Sequence, residues 1–88
     1  MIDINNFIDI TLLRLKSLDV EQGVSLLTFK KDRKVTIIKK NNSFSVYEDG
    51  FSKEIFFNLN IKDLRKLLKA LARKEFPRSN KLHFEIIK

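Results

Sequence analysis

The sequence predicts a small α+β domain of order α-β-β-β-β-α-β, with one antiparallel sheet and two helices packed on one of its faces. Apolar residues recur at three- and four-residue spacing over residues 2–18 and 60–76, the period of an amphipathic helix. Between and after those stretches the pattern alternates in short runs rich in β-branched and aromatic residues. The links between runs are too short for crossovers, which leaves hairpins. The chain has 88 residues and no repeat, linker or low-complexity segment, so residues 1–88 are expected to form a single domain.

In the first helix, Asp3 is the expected N-cap, because its carboxylate can accept from unpaired amide N–H groups. Ile4, Phe7, Ile8, Leu12, Leu15 and Leu18 make the main apolar face. Ile10 and Leu13 form a second strip on another side. Cover by the chain's own loops and a homodimer contact both account for that strip.

Residues 24–29, 34–40, 43–48 and 53–59 read as four strands. Asn41 and Asn42 suit the positive φ of a tight hairpin, and Asp49-Gly50 is a strong two-residue hairpin signal. Those two turns set Ile37 opposite Val46 and Phe44 opposite Ile55. Val35, Ile37, Phe44, Val46, Ile55, Phe57 and Leu59 then share the core face. The opposite face receives Ile38, Tyr47 and Phe56 among polar residues, where a face that only meets water would be polar throughout.

The second helix has Asn60 as expected N-cap and Asp63 near its positive end, and Pro77 stops it. Leu82, Phe84 and Ile86 alternate with His83, Glu85 and Ile87 as a last strand. A right-handed crossover through this helix makes the last strand parallel to the fourth and antiparallel to the first. Counting the expected strands in chain order, the predicted sheet order is 5-1-2-3-4, with the face away from the helices open.

Function is legible only as a class. Lysine and arginine number 18 against 11 aspartates and glutamates, a formal net charge of +7, and the isoelectric point is near 9.9. Such an excess favours an anionic partner. An AT-rich coding sequence, rich in Lys, Asn and Ile codons, also raises basicity without any function. In the second helix, Lys62, Arg65, Lys66, Lys69 and Arg73 fall within about a third of the circumference at ~100° per residue. No acidic residue of the helix shares that arc, although solvated helices usually interleave charges. Lys40, Arg78 and Lys81 add cations beside turns, and Tyr47 and Phe56 on the open face are candidates for stacking on bases. Cross-strand packing that stabilises the sheet accounts for the two rings equally well.

Chemistry beyond binding is sparse. Cysteine is absent, so disulfides and thiolate sites are too. His83 and Glu85 offer two metal ligands where a hydrolytic zinc site uses three from the protein, and a structural role is expected of His83. Gly23 and Gly50 lie too far apart for a phosphate loop. No enzyme activity, cofactor or metal is expected. Without a charged, apolar leader pattern or a membrane-length apolar run, a cytoplasmic protein with no membrane partner is expected.

The run KVTIIKKNNSFSVYEDGFSKEIFFNLNIKDLRKLLKALARKEF resembles the antiparallel sheet and following amphipathic helix of coactivator-type single-stranded-DNA-binding domains. With its continuation FPRSNKLHFEI it is also similar to the ThermoDBP-related proteins of archaea, which pair a sheet with helices and bind single-stranded DNA. The likeness covers about half the chain and is one of element order and polarity. It implies a single-strand partner. A protein-interaction or assembly subunit, using Ile10, Leu13 and the open face, is the other class the residues support.

Overall fold

A computed structural model describes all 88 residues. Its elements are β1 (Ile2–Asp3), α1 (Phe7–Ser17), β2 (Gly23–Leu27), β3 (Lys34–Lys39), β4 (Phe44–Asp49), β5 (Lys53–Leu59), α2 (Ile61–Glu75) and β6 (Lys81–Ile87). They form an α+β fold with a single antiparallel sheet in the order β1-β6-β2-β3-β4-β5. The expected five-strand order is therefore incomplete. A sixth strand, β1, lies outside β6 and pairs Ile2 with Leu82 and Asp3 with Lys81.

That strand is cut from the expected first helix. Asp3, Asn5 and Asn6 are residues whose side chains compete for backbone hydrogen bonds and disfavour helix interiors. Asp3 does accept a backbone N–H, from Asn5 at 2.8 Å, but in the turn before the helix rather than as its cap. The cap position of α1 belongs to Asn6, which makes no side-chain cap bond. The Ile4 N–H donates to Asn80 O at 2.9 Å, and so holds the N-terminal segment along β6.

The β3–β4 hairpin has the expected register, Ile37 opposite Val46. Neither Asn41 nor Asn42 has a positive φ, so the turn does not use the conformation their identity suggested. The β4–β5 hairpin departs further. Asp49 pairs with Lys53, leaving residues 50–52 as a three-residue loop in place of the two-residue Asp49-Gly50 turn. Val46 then faces Phe56, and Tyr47 faces Ile55. A register displaced by an odd number of residues exchanges the faces of a strand. Phe56 therefore packs against the core, while Ile55 and Phe57 stand outside it at 54% and 61% exposure. Near its end β5 shifts register again, with Asn58 at φ 57°, and Leu59 returns to the core opposite Phe44.

Both helices cover one face of the sheet. Leu12 and Leu15 of α1 and Leu64, Leu68 and Leu71 of α2 meet Val24, Leu26, Val35, Ile37, Val46 and Leu82 from the strands. Phe7 and Phe76 meet edge to face at 6.3 Å and tie the start of α1 to the end of α2. At Gly23 an added Cβ would lie 2.0 Å from Ile37 O, so the close approach of β2 to β3 requires glycine there. No helix is long and apolar enough to cross a membrane.

Candidate nucleic-acid interface

The α2 helix divides as its spacing predicts. Asn60 Oδ1 accepts from the Asp63 N–H at 2.7 Å and caps the start. Leu64, Leu68, Leu71 and Glu75 are buried, while Lys62, Arg65, Lys66, Lys69 and Arg73 are all exposed on the opposite side. From Lys62 to Arg73 the stripe runs about 16 Å at ~1.5 Å per residue. It is not wholly unpaired, however. Arg65 reaches Asp9 of α1 at 3.0 Å, an exposed pair between helices that periodicity within one helix does not disclose.

Where α2 ends, a cleft of about 1130 Å³ opens at one end of the sheet. Its walls come from the β2–β3 and β4–β5 loops, the end of α2 and the segment before β6. Lys30, Arg33, Lys74, Arg78 and Lys81 all line it, with Phe29 and Phe51. Arg78 and Lys81, singled out from the sequence, therefore line this cleft, whereas the five cations of the helix stripe lie outside its lining. Lys40 is outside it too. It lies at the β3–β4 turn, at the other end of β3, and its Nζ is 2.9 Å from Glu21 Oε2. That hydrogen-bonded partner raises the Lys40 pKa above its ordinary value.

Two phenylalanines at the cleft escaped the sequence reading. Phe29 was expected to end a strand, but β2 stops at Leu27. Thr28 closes the following loop: its Oγ1 donates to Asp32 Oδ1 at 2.6 Å and accepts from the Arg33 N–H at 3.3 Å. The Thr28 hydroxyl holds the Asp32 carboxyl below its ordinary pKa. Phe29 is left at the loop, 73% exposed. Its ring stacks on His83 at 6.0 Å with 22° between planes. Phe51, also 73% exposed, stands in the three-residue loop, with the Arg33 guanidinium 5.9 Å from its ring centre.

The Phe51 loop is held from below by a buried carboxylate. Glu75 Oε1 accepts from the Phe51 N–H at 2.7 Å and Oε2 from the Ser52 N–H at 3.3 Å. Arg33 places Nε 4.0 Å from Glu75 Oε1 and donates through its terminal nitrogen to the Lys74 and Glu75 carbonyls at 3.4 and 3.3 Å. It thereby satisfies the end of α2, where carbonyls lack partners. Beside Glu75 lies Glu48, its side chain fully buried, with Lys74 Nζ 3.1 Å from Oε2. Burial raises the Glu48 pKa, and its hydrogen bond with Glu75 raises it further. Beyond Lys74 and Glu75, the Glu48 oxygens have no polar partner. Burial also works to raise Glu75, but the Glu48 hydrogen bond and the Phe51 and Ser52 N–H groups outweigh it, and its pKa is lowered.

The open sheet face is a weaker anion surface than the sequence suggested. Tyr47 remains on it, half-buried beside Thr36 and Ile55, whereas Phe56 has turned inward. The groove there mixes Lys34, Lys40 and Lys53 with Glu21, Asp49 and Glu54. Ile10 and Leu13 both remain uncovered on α1, Leu13 at 70% exposure. No protein-family model, curated protein or solved structure matches the chain.

Proposed function

We propose that this chain is a non-catalytic nucleic-acid-binding module that takes single-stranded DNA or RNA with little sequence preference. The observation that carries the reading is the number of cations without an ion pair within the chain: Lys62, Lys66, Lys69 and Arg73 along α2, and Lys30, Arg78 and Lys81 in the cleft beyond its end. A row of unpaired cations repels itself, and a polyphosphate backbone relieves that repulsion while releasing its own counterions. The likeness to single-stranded-DNA-binding sheets points the same way.

The test is affinity for labelled oligonucleotides across a salt series, read by fluorescence anisotropy. If about five phosphates are neutralised, the log–log slope is near −3.5 on a single strand and about −4.5 on a duplex. Lys66→Glu with Lys69→Glu weakens binding to all sequences alike and makes the slope shallower, because phosphate contacts carry no base information. Unchanged binding in that variant places the surface elsewhere.

A second reading, an assembly subunit, draws on the exposed Ile10 and Leu13 of α1 and on Ile55 and Phe57 beside the free edge of β5. In that reading two copies meet through α1 and the basic stripe only keeps the protein dispersed. No oligonucleotide binding at low salt, together with a dimer in sedimentation equilibrium that Leu13→Lys dissociates, favours it over the first.

A further inference from the structure

We infer that the sheet-end cleft is where unpaired bases stack, on the rings of Phe29 and Phe51, with Lys30, Arg78 and Lys81 holding the phosphates between them. This rests on the nucleic-acid reading above and gives the bases a place within it. Three observations converge. Both rings line one cleft, and each is 73% exposed, so two large apolar faces open to solvent within the same cleft. Each ring is backed by a planar group: Phe29 by the His83 imidazole, nearly parallel at 22°, and Phe51 by the Arg33 guanidinium. The loops that carry them are tied down, Phe51 through its N–H to buried Glu75 and Phe29 through the Thr28 side-chain bonds.

Backing groups of this kind fix a ring before the ligand arrives, so less ordering is left for binding to oppose. A ring held on one side offers its other side to a flat partner. The surrounding cations require that partner to be anionic as well. A single-stranded nucleic acid supplies both features at every residue, a π-face and a phosphate. A duplex hides its bases in the stack and gains nothing from the rings. On the sheet's open face Phe56 is turned into the core and Tyr47 is half-buried, which leaves Phe57 as a single exposed ring with no aromatic or cationic group against it.

The experiment uses the full chain, oligothymidylate of about 15 nucleotides, a length near the upper range for one small domain, and an abasic oligomer of equal length and charge. The wild type binds the thymidylate more tightly than the abasic strand. Phe29→Ala and Phe51→Ala each weaken thymidylate binding by about 5- to 150-fold, the range for loss of one stacked base, and leave the abasic strand unaffected. A second variant guards against a folding defect. The chain contains no tryptophan, so Phe51→Trp places a sole indole in the cleft, and its fluorescence is quenched by thymidylate and not by the abasic strand. Equal wild-type affinity for both strands, with no quenching, overturns the stacking site but leaves the phosphate-binding reading standing. No binding to either strand removes both. An indole that shifts blue on phosphatidylglycerol vesicles, with no response to thymidylate, overturns the inference in favour of a membrane surface.

Discussion

Glu75 joins parts of the chain that are far apart in sequence, and its neighbours decide its charge. It accepts from two backbone N–H groups in the β4–β5 loop and lies beside the Arg33 guanidinium and the Glu48 carboxyl. Replacing it with alanine leaves those N–H groups without their charged acceptor, and a loss of about 1.5–3 kcal/mol is expected in urea denaturation. The two carboxyls respond oppositely to pH. The Glu75 pKa is lowered, so its contribution is present above the unfolded value and is lost as pH falls through the folded one. The Glu48 pKa is raised, so its contribution is complete below the unfolded value, near 4.5, and is lost as pH rises through the folded one. Glu48→Gln, which cannot ionise, should therefore lack that second decline, and its stability relative to wild type should rise as pH climbs above about 4.5. Parallel stability curves would show that Glu48 ionises in the fold as it does in the open chain. None of this was legible in the sequence. Glu75 was seen to lie off the basic arc, but its partners are 23 to 42 residues away.

At the scale of elements, the features set by residues close in sequence were the more legible and those set by distant side chains were not. The basic stripe, the Asn60 cap and the Ile37–Val46 register follow from local spacing and local chemistry. The β4–β5 register does not, because the Asp49-Gly50 signal competes with the Glu75 carboxylate waiting beneath the loop. Gly50 shows the difference. Its φ is not positive, so it is not there for a left-handed turn. Space is the reason: an added Cβ would lie 2.4 Å from Glu75 Oε1 and 3.0 Å from Arg33 Cβ. Gly50→Ala should cost about 1–3 kcal/mol by overpacking. Gly50→Asn, which a left-handed position would tolerate, should be at least as harmful by thermal or urea unfolding. A mild asparagine variant would argue for a conformational role. The same reasoning explains Phe29, because alternation carried the strand past Leu27, where the Thr28 hydroxyl bends the chain away.

For the whole molecule, the class and the layer arrangement were legible: one antiparallel sheet, two helices on one side, the other side open. The two-residue β1 was missed, since a helical apolar period at Ile4, Phe7 and Ile8 hides a strand ahead of it. The basic surface was found only in part. Its helical half is a periodic pattern, whereas the cleft is assembled from loops that meet only once the sheet has formed. Charge therefore concentrates at one end and along one helix, and Lys40 lies away from it, already engaged with Glu21.

The position of β6 has a further consequence. The chain's last strand is an interior one, hydrogen-bonded to β2 on one side and to β1 on the other. Its pairing with β2 joins Gly23 to Ile87 and Leu27 to His83, so the interior of the sheet is closed by strands that lie far apart in the sequence. Separating them opens the core at Val24, Leu26 and Leu82 together. In deuterated buffer, the amides shared by β2 and β6 should exchange only when the whole molecule unfolds, at a rate set by its full stability. The outer strand β5, with one unpaired edge and an irregular register, should exchange through smaller openings and lose its protection first.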